Sequence, residues 1–347
     1  MCSHAKRLCS SKSTDSKTTP QFGEPLTRFG VITDTHYADC DDRVAWYDSS
    51  KTRYYRNAIN QIHNAFNEWI KEKDEFVVHL GDIIDGCNEK HKHYAINYVF
   101  NSFNRLPSFF VVVIVCHLLG NHELYNFNRI QLSAYLSESV ANRENVAMHQ
   151  NVQDKYILYY TFKPVTGVKL IALDCFDVSV LGHSKSCVKY QQALKILQNY
   201  HKHESQWDED NVLDSLNKRF LAQNGAIGEA QLSWLNNELS VSEEANEKVI
   251  IFGHVGLHPD SVDSTCLLWN YEQILNVFKD YKCIKMYICG HQHKPGFAQM
   301  NHIRFVVFDC VIETEFNTFA SIIVFNDRIV IKYYNGKECC IFKDVFI

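Results

Sequence analysis

Seven side chains with nitrogen or oxygen donors fall within five short words of the sequence: Asp34-Thr35-His36, Gly81-Asp82-Ile83-Ile84-Asp85, Gly120-Asn121-His122-Glu123, Gly253-His254 and Gly290-His291-Gln292-His293. Asp34, His36, Asp82, Asn121, His254, His291 and His293 include no thiolate, which suits Mn²⁺, Fe or Zn²⁺ better than copper or an iron–sulfur centre. One bridging carboxylate would let seven ligands serve two ions. Two cations held close together clamp a phosphoryl group and acidify a water, so the chemistry implied is hydrolysis of a phosphate ester or anhydride. Alone, Asp-x-His reads as a strand-end Asp beside a surface His, and Gly-Asp-x-x-Asp as a turn. Their combination in one chain carries the reading.

Each word comes at the end of a short apolar run: 29–32, 76–80, 109–119, 249–252 and 286–289. Such runs bounded by glycine read as buried strands. Between the first two, Ala58, Ile59, Ile62, Ala65, Phe66, Trp69 and Ile70 follow helical spacing and predict an amphipathic helix over 53–73. A second helix is expected over 94–105. Strand, helix, strand, helix, strand implies parallel pairing with right-handed crossovers, and sites in such sheets lie beyond the carboxyl ends of the strands. Farther on, 156–162 and 168–173 predict a hairpin, 189–201 and 229–239 helices, and 303–308, 319–325 and 329–334 further strands, with Asn326-Asp327 as a turn signal. The charged stretch 202–224 shows no period. The expectation is an α/β fold: a four-layer α/β/β/α sandwich, two mixed β-sheets flanked by helices, in one catalytic domain over 26–347 behind a disordered tail at 1–25.

Of the 347 residues 46% are hydrophobic and 22% charged, values of a globular chain. No apolar run approaches the roughly 20 residues of a membrane helix, so no membrane partner is expected. A net charge of −5 with scattered Lys and Arg argues against nucleic acid. The thirteen cysteines include no Cys-x-x-Cys, and residues 1–25 lack the apolar core of a secretory signal. Free thiols in a reducing, cytoplasmic compartment are expected; the alternative, a mitochondrial transit peptide, is opposed by Asp15 and Glu24. A monomer is expected.

In these five words, in this order over 34–293, the chain resembles the calcineurin-like metallophosphoesterases. The resemblance implies the metallophosphoesterase sandwich and two divalent metal ions. Asp34, His36, Asp82 and His293 would hold one, and Asp82 would bridge to the other, completed by Asn121, His254 and His291. His122 would stabilise or protonate the leaving oxygen, with Asp85 orienting it. The stretches 29–34, 79–86, 120–127, 173–182, 231–236, 266–271 and 311–314 are similar to the manganese-dependent ADP-ribose/CDP-alcohol diphosphatases. That resemblance implies cleavage of the phosphoanhydride of ADP-ribose or CDP-alcohols to AMP or CMP and a phosphomonoester. Mn²⁺ is then the first expectation, with Zn²⁺, Fe or Mg²⁺ as alternatives, and a small nucleotide the substrate.

The same resemblance implies Trp46 and Tyr47 as a cover for the nucleobase and Leu181 and Cys266 as pocket wall, with core packing the alternative for all four. The guanidinium fork of Arg56 matches phosphate oxygens and makes it a candidate phosphate clamp, the alternative being a solvent-facing helical position. The acidic run Asp39, Asp41 and Asp42 reads as a solvated loop. Two departures stand out: His36, where relatives often carry Gln, and the segment 107–119, longer than the usual connection. Gly86 replaces the Arg that phosphoprotein phosphatases carry after Gly-Asp-x-x-Asp. A cyclic-nucleotide phosphodiesterase is the alternative enzyme, and a non-catalytic scaffold would have no need of seven ligands.

Overall fold

The computed structural model describes residues 23–104, 114–140, 146–148, 158–336 and 338–346. Most of the expected tail, the first part of the run 109–119 and positions 156 and 157 of the expected hairpin lie outside them. Strand β1 (Thr27–Ile32) is followed by a short hairpin, β2 (Arg43–Ala45) and β3 (Asp48–Arg53), then by α1 (Asn57–Glu72), β4 (Phe76–His79), α2 (Lys92–Asn104) and β5 (Ile114–His117). β1, β4 and β5 pair in parallel, as the alternation of strands and helices requires. Helix α1 starts later than the pattern 53–73 suggests, because Arg53 closes β3 and its buried guanidinium turns to Asp85.

Two short helices, α3 (Asn121–Asn126) and α4 (Arg129–Val140), lead to β6 (Val146–Met148), β7 (Tyr160–Val165) and β8 (Val168–Ala172). After α5 (Val188–Gln198) an irregular excursion precedes α6 (Glu229–Glu244), β9 (Lys248–Phe252), α7 (Tyr271–Phe278) and β10 (Ile284–Cys289). The described chain ends in β11 (Gly296–Met300), β12 (Ile303–Val307), β13 (Thr318–Val324), β14 (Arg328–Asn335) and β15 (Glu338–Phe346). One sheet has the order β15-β14-β13-β1-β4-β5 and the other β11-β12-β10-β9-β8-β7-β6. Both are mixed: β13 runs antiparallel to β1, whereas β8, β9, β10 and β12 are parallel.

The period of two along each strand divides the core. Phe29, Val31, Phe76 and Val78 face Ile250, Phe252, Met286 and Ile288 between the sheets. Their neighbours Ile32, Val77, Val249 and Ile251 pack outward against Ile59, Ile62 and Phe66 of α1 and Leu235, Leu239 and Ile274 of α6 and α7. Strands covered on both faces must be apolar throughout, which is why these runs are continuous rather than alternating. The result is the four-layer α/β/β/α sandwich. A single glycine sets one layer spacing: the Trp69 indole lies where a side chain on Gly30 would go, and its Nε1–H donates to the Ala320 carbonyl at 2.9 Å. Among the described residues no helix is long and apolar enough to cross a membrane.

Candidate metal centre

All seven expected ligands sit just past carboxyl ends of strands. Asp34 and His36 follow β1, Asp82 follows β4, Asn121 opens α3 after β5, His254 follows β9, and His291 and His293 follow β10. The backbone there is forced. Asp34 (φ 52), His36 (φ 44), Asp82 (φ 54), His291 (φ 67) and His293 (φ 58) all adopt the left-handed region. For a residue with a Cβ this costs about 1–3 kcal/mol, so five such residues past the strand ends of the two sheets mark strain concentrated where the chemistry is. Glu123 helps hold it: its buried carboxylate accepts the N–H groups of Gly120, Asp82, Ile83 and Ile84 at 2.7 to 3.1 Å. Burial, with Asp82 adding, pushes that carboxyl up to about 7. A side chain at Gly120 would collide with Asp82, so that position demands glycine.

Two clusters of donor atoms form and share one carboxylate. Asp34, His36, Asp82 and His293 bring one atom each within 4.8 Å of one another, and Asp82, His254 and His291 do the same. In the first, His36 Nε2 lies 3.4 Å from Asp82 Oδ2, and His293 Nε2 lies 3.4 Å from Asp34 Oδ1. In the second, His254 Nε2 lies 3.2 Å from both Asp82 Oδ2 and Asn121 Oδ1. The Asn121 amide N–H donates to the Tyr125 hydroxyl at 3.1 Å, which turns Oδ1 inward.

These residues fit divalent cations. Asp34 and Asp82 are fully buried, and Asp34 Oδ1 has no hydrogen-bond partner. A buried carboxylate oxygen without a partner is expensive unless a positive charge faces it. Burial opposes ionisation of both carboxyls, yet the surrounding histidines hold them below the usual carboxylate range. Three of the outward ring nitrogens are also engaged, as metal-binding imidazoles require. His254 Nδ1–H donates to the Leu80 carbonyl at 2.9 Å, His293 Nδ1–H to Glu313 at 2.6 Å, and His291 Nε2 lies 2.9 Å from Asn224 Oδ1. His36 Nδ1 lies 3.4 Å from Asp85.

His122 stands beside the first cluster, its ring 4.2 Å from that of His36. The Gly86 N–H donates to His122 Nδ1 at 2.9 Å, closer than the 3.4 Å to Asp85 Oδ2, so the ring proton resides on Nε2. Burial first, and then His36, lower its pKa and keep the ring neutral. Asp85 reaches Arg53 at 3.0 Å and lies 3.4 Å from both imidazoles.

Trp46 and Tyr47 form the turn between β2 and β3. Trp46 is 84% exposed, so it is no core residue, and the Tyr47 hydroxyl lies 3.2 Å from His293 Nδ1. Arg56 is engaged elsewhere: its guanidinium donates to Asp39 at 2.6 Å and Asp41 at 2.8 Å, which ties down the acidic run. Leu181 and Cys266 are partly buried against the core. Sequence reasoning gave no role to Glu313, Lys51, Asn224, Tyr125 or Glu123. Glu313 and Glu123 lie within stretches already noted for their resemblance, a usable signal; Lys51 and Asn224 carry none.

The family described as calcineurin-like phosphoesterase matches residues 27–295. A manganese-dependent ADP-ribose/CDP-alcohol diphosphatase from Mus musculus is 35% identical, over 89% of this chain and 91% of its own. The protein of that name from Homo sapiens is 33% identical, over 89% and 90%. A crystal structure of a dimetal phosphatase from Danio rerio superposes with a TM-score of 0.83 at 30% identity, covering 92% of this chain and 99% of that one. With its sandwich, its ligand words and its shared carboxylate, the chain belongs to the calcineurin-like phosphoesterase family, in the branch of the manganese-dependent ADP-ribose/CDP-alcohol diphosphatases.

Proposed function

We propose that the protein hydrolyses the phosphoanhydride of ADP-ribose and of CDP-alcohols such as CDP-choline, CDP-ethanolamine and CDP-glycerol, giving AMP or CMP and a phosphomonoester. The observation that carries this reading is Asp82 shared between two buried donor clusters, beside an exposed aromatic turn at Trp46 and Tyr47. Asp34, His36, Asp82 and His293 would hold one cation and Asp82, Asn121, His254 and His291 the other, Mn²⁺ by preference. Bound there, the two cations supply the positive charge that clamps a phosphoryl group and acidify the attacking water.

The chain's own residues do the rest. His122 keeps a proton on Nε2, because the Gly86 amide occupies Nδ1, and offers it to the leaving oxygen. That oxygen belongs to a phosphomonoester, a better leaving group than an alkoxide, so a hydrogen bond from a neutral imidazole suffices. Asp85 and Arg53 hold the His36 and His122 side of the site together. The Trp46 face accepts purine and pyrimidine alike, since every base has a π-face.

Purified protein with Mn²⁺ and either ADP-ribose or CDP-choline should yield AMP or CMP. Release of ADP or CDP instead would place the cut at a different bond and overturn the proposal, as would turnover of cyclic AMP in preference to both.

A further inference from the structure

Asn224 lies in the excursion between α5 and α6, is fully buried, and carries no periodic signal. Both of its amide hydrogens are used: Nδ2 donates to the Arg219 carbonyl at 2.9 Å and the Thr265 carbonyl at 2.8 Å. Turned over, the amide would set its oxygen against two carbonyl oxygens at those distances, so its neighbours dictate which way it points. Oδ1 is therefore an acceptor, 2.9 Å from His291 Nε2. A carbonyl-type oxygen at that distance demands Nε2–H. An imidazole that binds a metal is neutral and carries one ring proton, so the lone pair of His291 is left on Nδ1.

We propose that Asn224 is a positioning residue of the second cluster: it fixes His291 as the Nε2–H tautomer and so makes Nδ1 the atom presented beside Asp82, Asn121 and His254. The inference rests on the two-cation reading of the site. It gives the excursion a purpose, since the Arg219 and Thr265 carbonyls aim the amide and the amide aims the ligand.

The test compares Mn²⁺ binding by N224A and Q223A, using calorimetry and electron paramagnetic resonance. Gln223 donates to the same Thr265 carbonyl at 3.1 Å, so Q223A loosens the loop while leaving the Asn224 contact to His291 in place. Wild type and Q223A should take up two Mn²⁺ with the spectrum of a coupled pair. N224A should keep one tight ion, lose affinity for the second by about ten- to a hundredfold, and show isolated Mn²⁺. A coupled pair of unaltered affinity in N224A, or a Q223A defect equal to that of N224A, overturns the proposal. Nitrogen-15 shifts of the histidine rings in Zn²⁺-loaded wild type read the ligand atom without any substitution: His291 bound through Nε2 would overturn it too. A wild-type protein that takes up a single Mn²⁺ refutes the two-cation reading instead, a separate result.

Discussion

Glu313 accepts the Nδ1–H of His293 at 2.6 Å through one carboxylate oxygen while Lys51 reaches the other at 2.5 Å. A carboxylate behind a ligating imidazole fixes the ring and raises its basicity, and losing such a partner typically costs about ten- to a hundredfold in metal affinity. E313Q should therefore weaken Mn²⁺ binding by that order in a calorimetric titration. Melting of the metal-free protein should change little, but the rise in melting temperature on adding Mn²⁺ should shrink. An unchanged affinity would mean that the contact does not support the ligand.

Metal binding should release protons. Burial opposes charge on His36 and His254, but Asp82 overrides it and lifts both to about 9. At pH 7 the metal-free protein thus holds two imidazolium rings that must become neutral to bind a cation. Calorimetry in two buffers of different ionisation enthalpy should show proton release near pH 7, vanishing above pH 9, with apparent Mn²⁺ affinity rising over that interval.

The same groups give the metal-free protein a stability maximum. His36 and His254 have pKa values raised above 6.5, so their contribution is fully present below 6.5 and is lost as pH rises through about 9. Burial lowers His291 to about 3 and His293 to about 4, so stability also falls as pH drops from 6.5 toward those values. Urea midpoints of chelator-treated protein should peak between these limits, and a midpoint that climbs steadily to pH 10 would contradict the assignment.

Trp46→Ala removes an aromatic face that contributes little to folding, since Trp46 is 84% exposed. Stacking of a base on an aromatic ring is worth about 1–3 kcal/mol. KM for ADP-ribose and CDP-choline should rise accordingly, with kcat and melting temperature near wild type. Equal losses in kcat would instead make the turn part of the catalytic machinery.

Gly30→Ala should act on the fold alone. The new methyl meets the Trp69 indole, and overpacking of this kind costs about 1–3 kcal/mol. The urea midpoint should fall at constant slope, while Mn²⁺ stoichiometry stays the same.

The architecture was legible where one residue type repeats along one element. The apolar run 76–80 and the helical spacing of Ile59, Ile62 and Phe66 reflect burial that each segment shows by itself. The ligands were legible because Asp34, Asp82 and His254 follow such runs directly. The β2–β3 hairpin was not, since Asp-Ser-Ser-Lys-Thr-Arg has no alternation and is held by pairing with β2. Asn224 and Glu313 escaped for a further reason. Their partners, His291 and His293, lie 67 and 20 residues away in sequence, and a lone polar side chain gains its role only when the chain brings its partner within reach.

Asp34, Asp82 and Asn121 hang from one sheet, and His254, His291 and His293 from the other. Neither sheet owns a complete ligand set. A nascent or partly unfolded chain in which one sheet has formed alone therefore carries half a centre and cannot attack the nucleotides around it. Hydrolytic competence arrives in a single step, when the halves of the sandwich close, and a protease cut that lets them part would abolish it without touching any residue of the site.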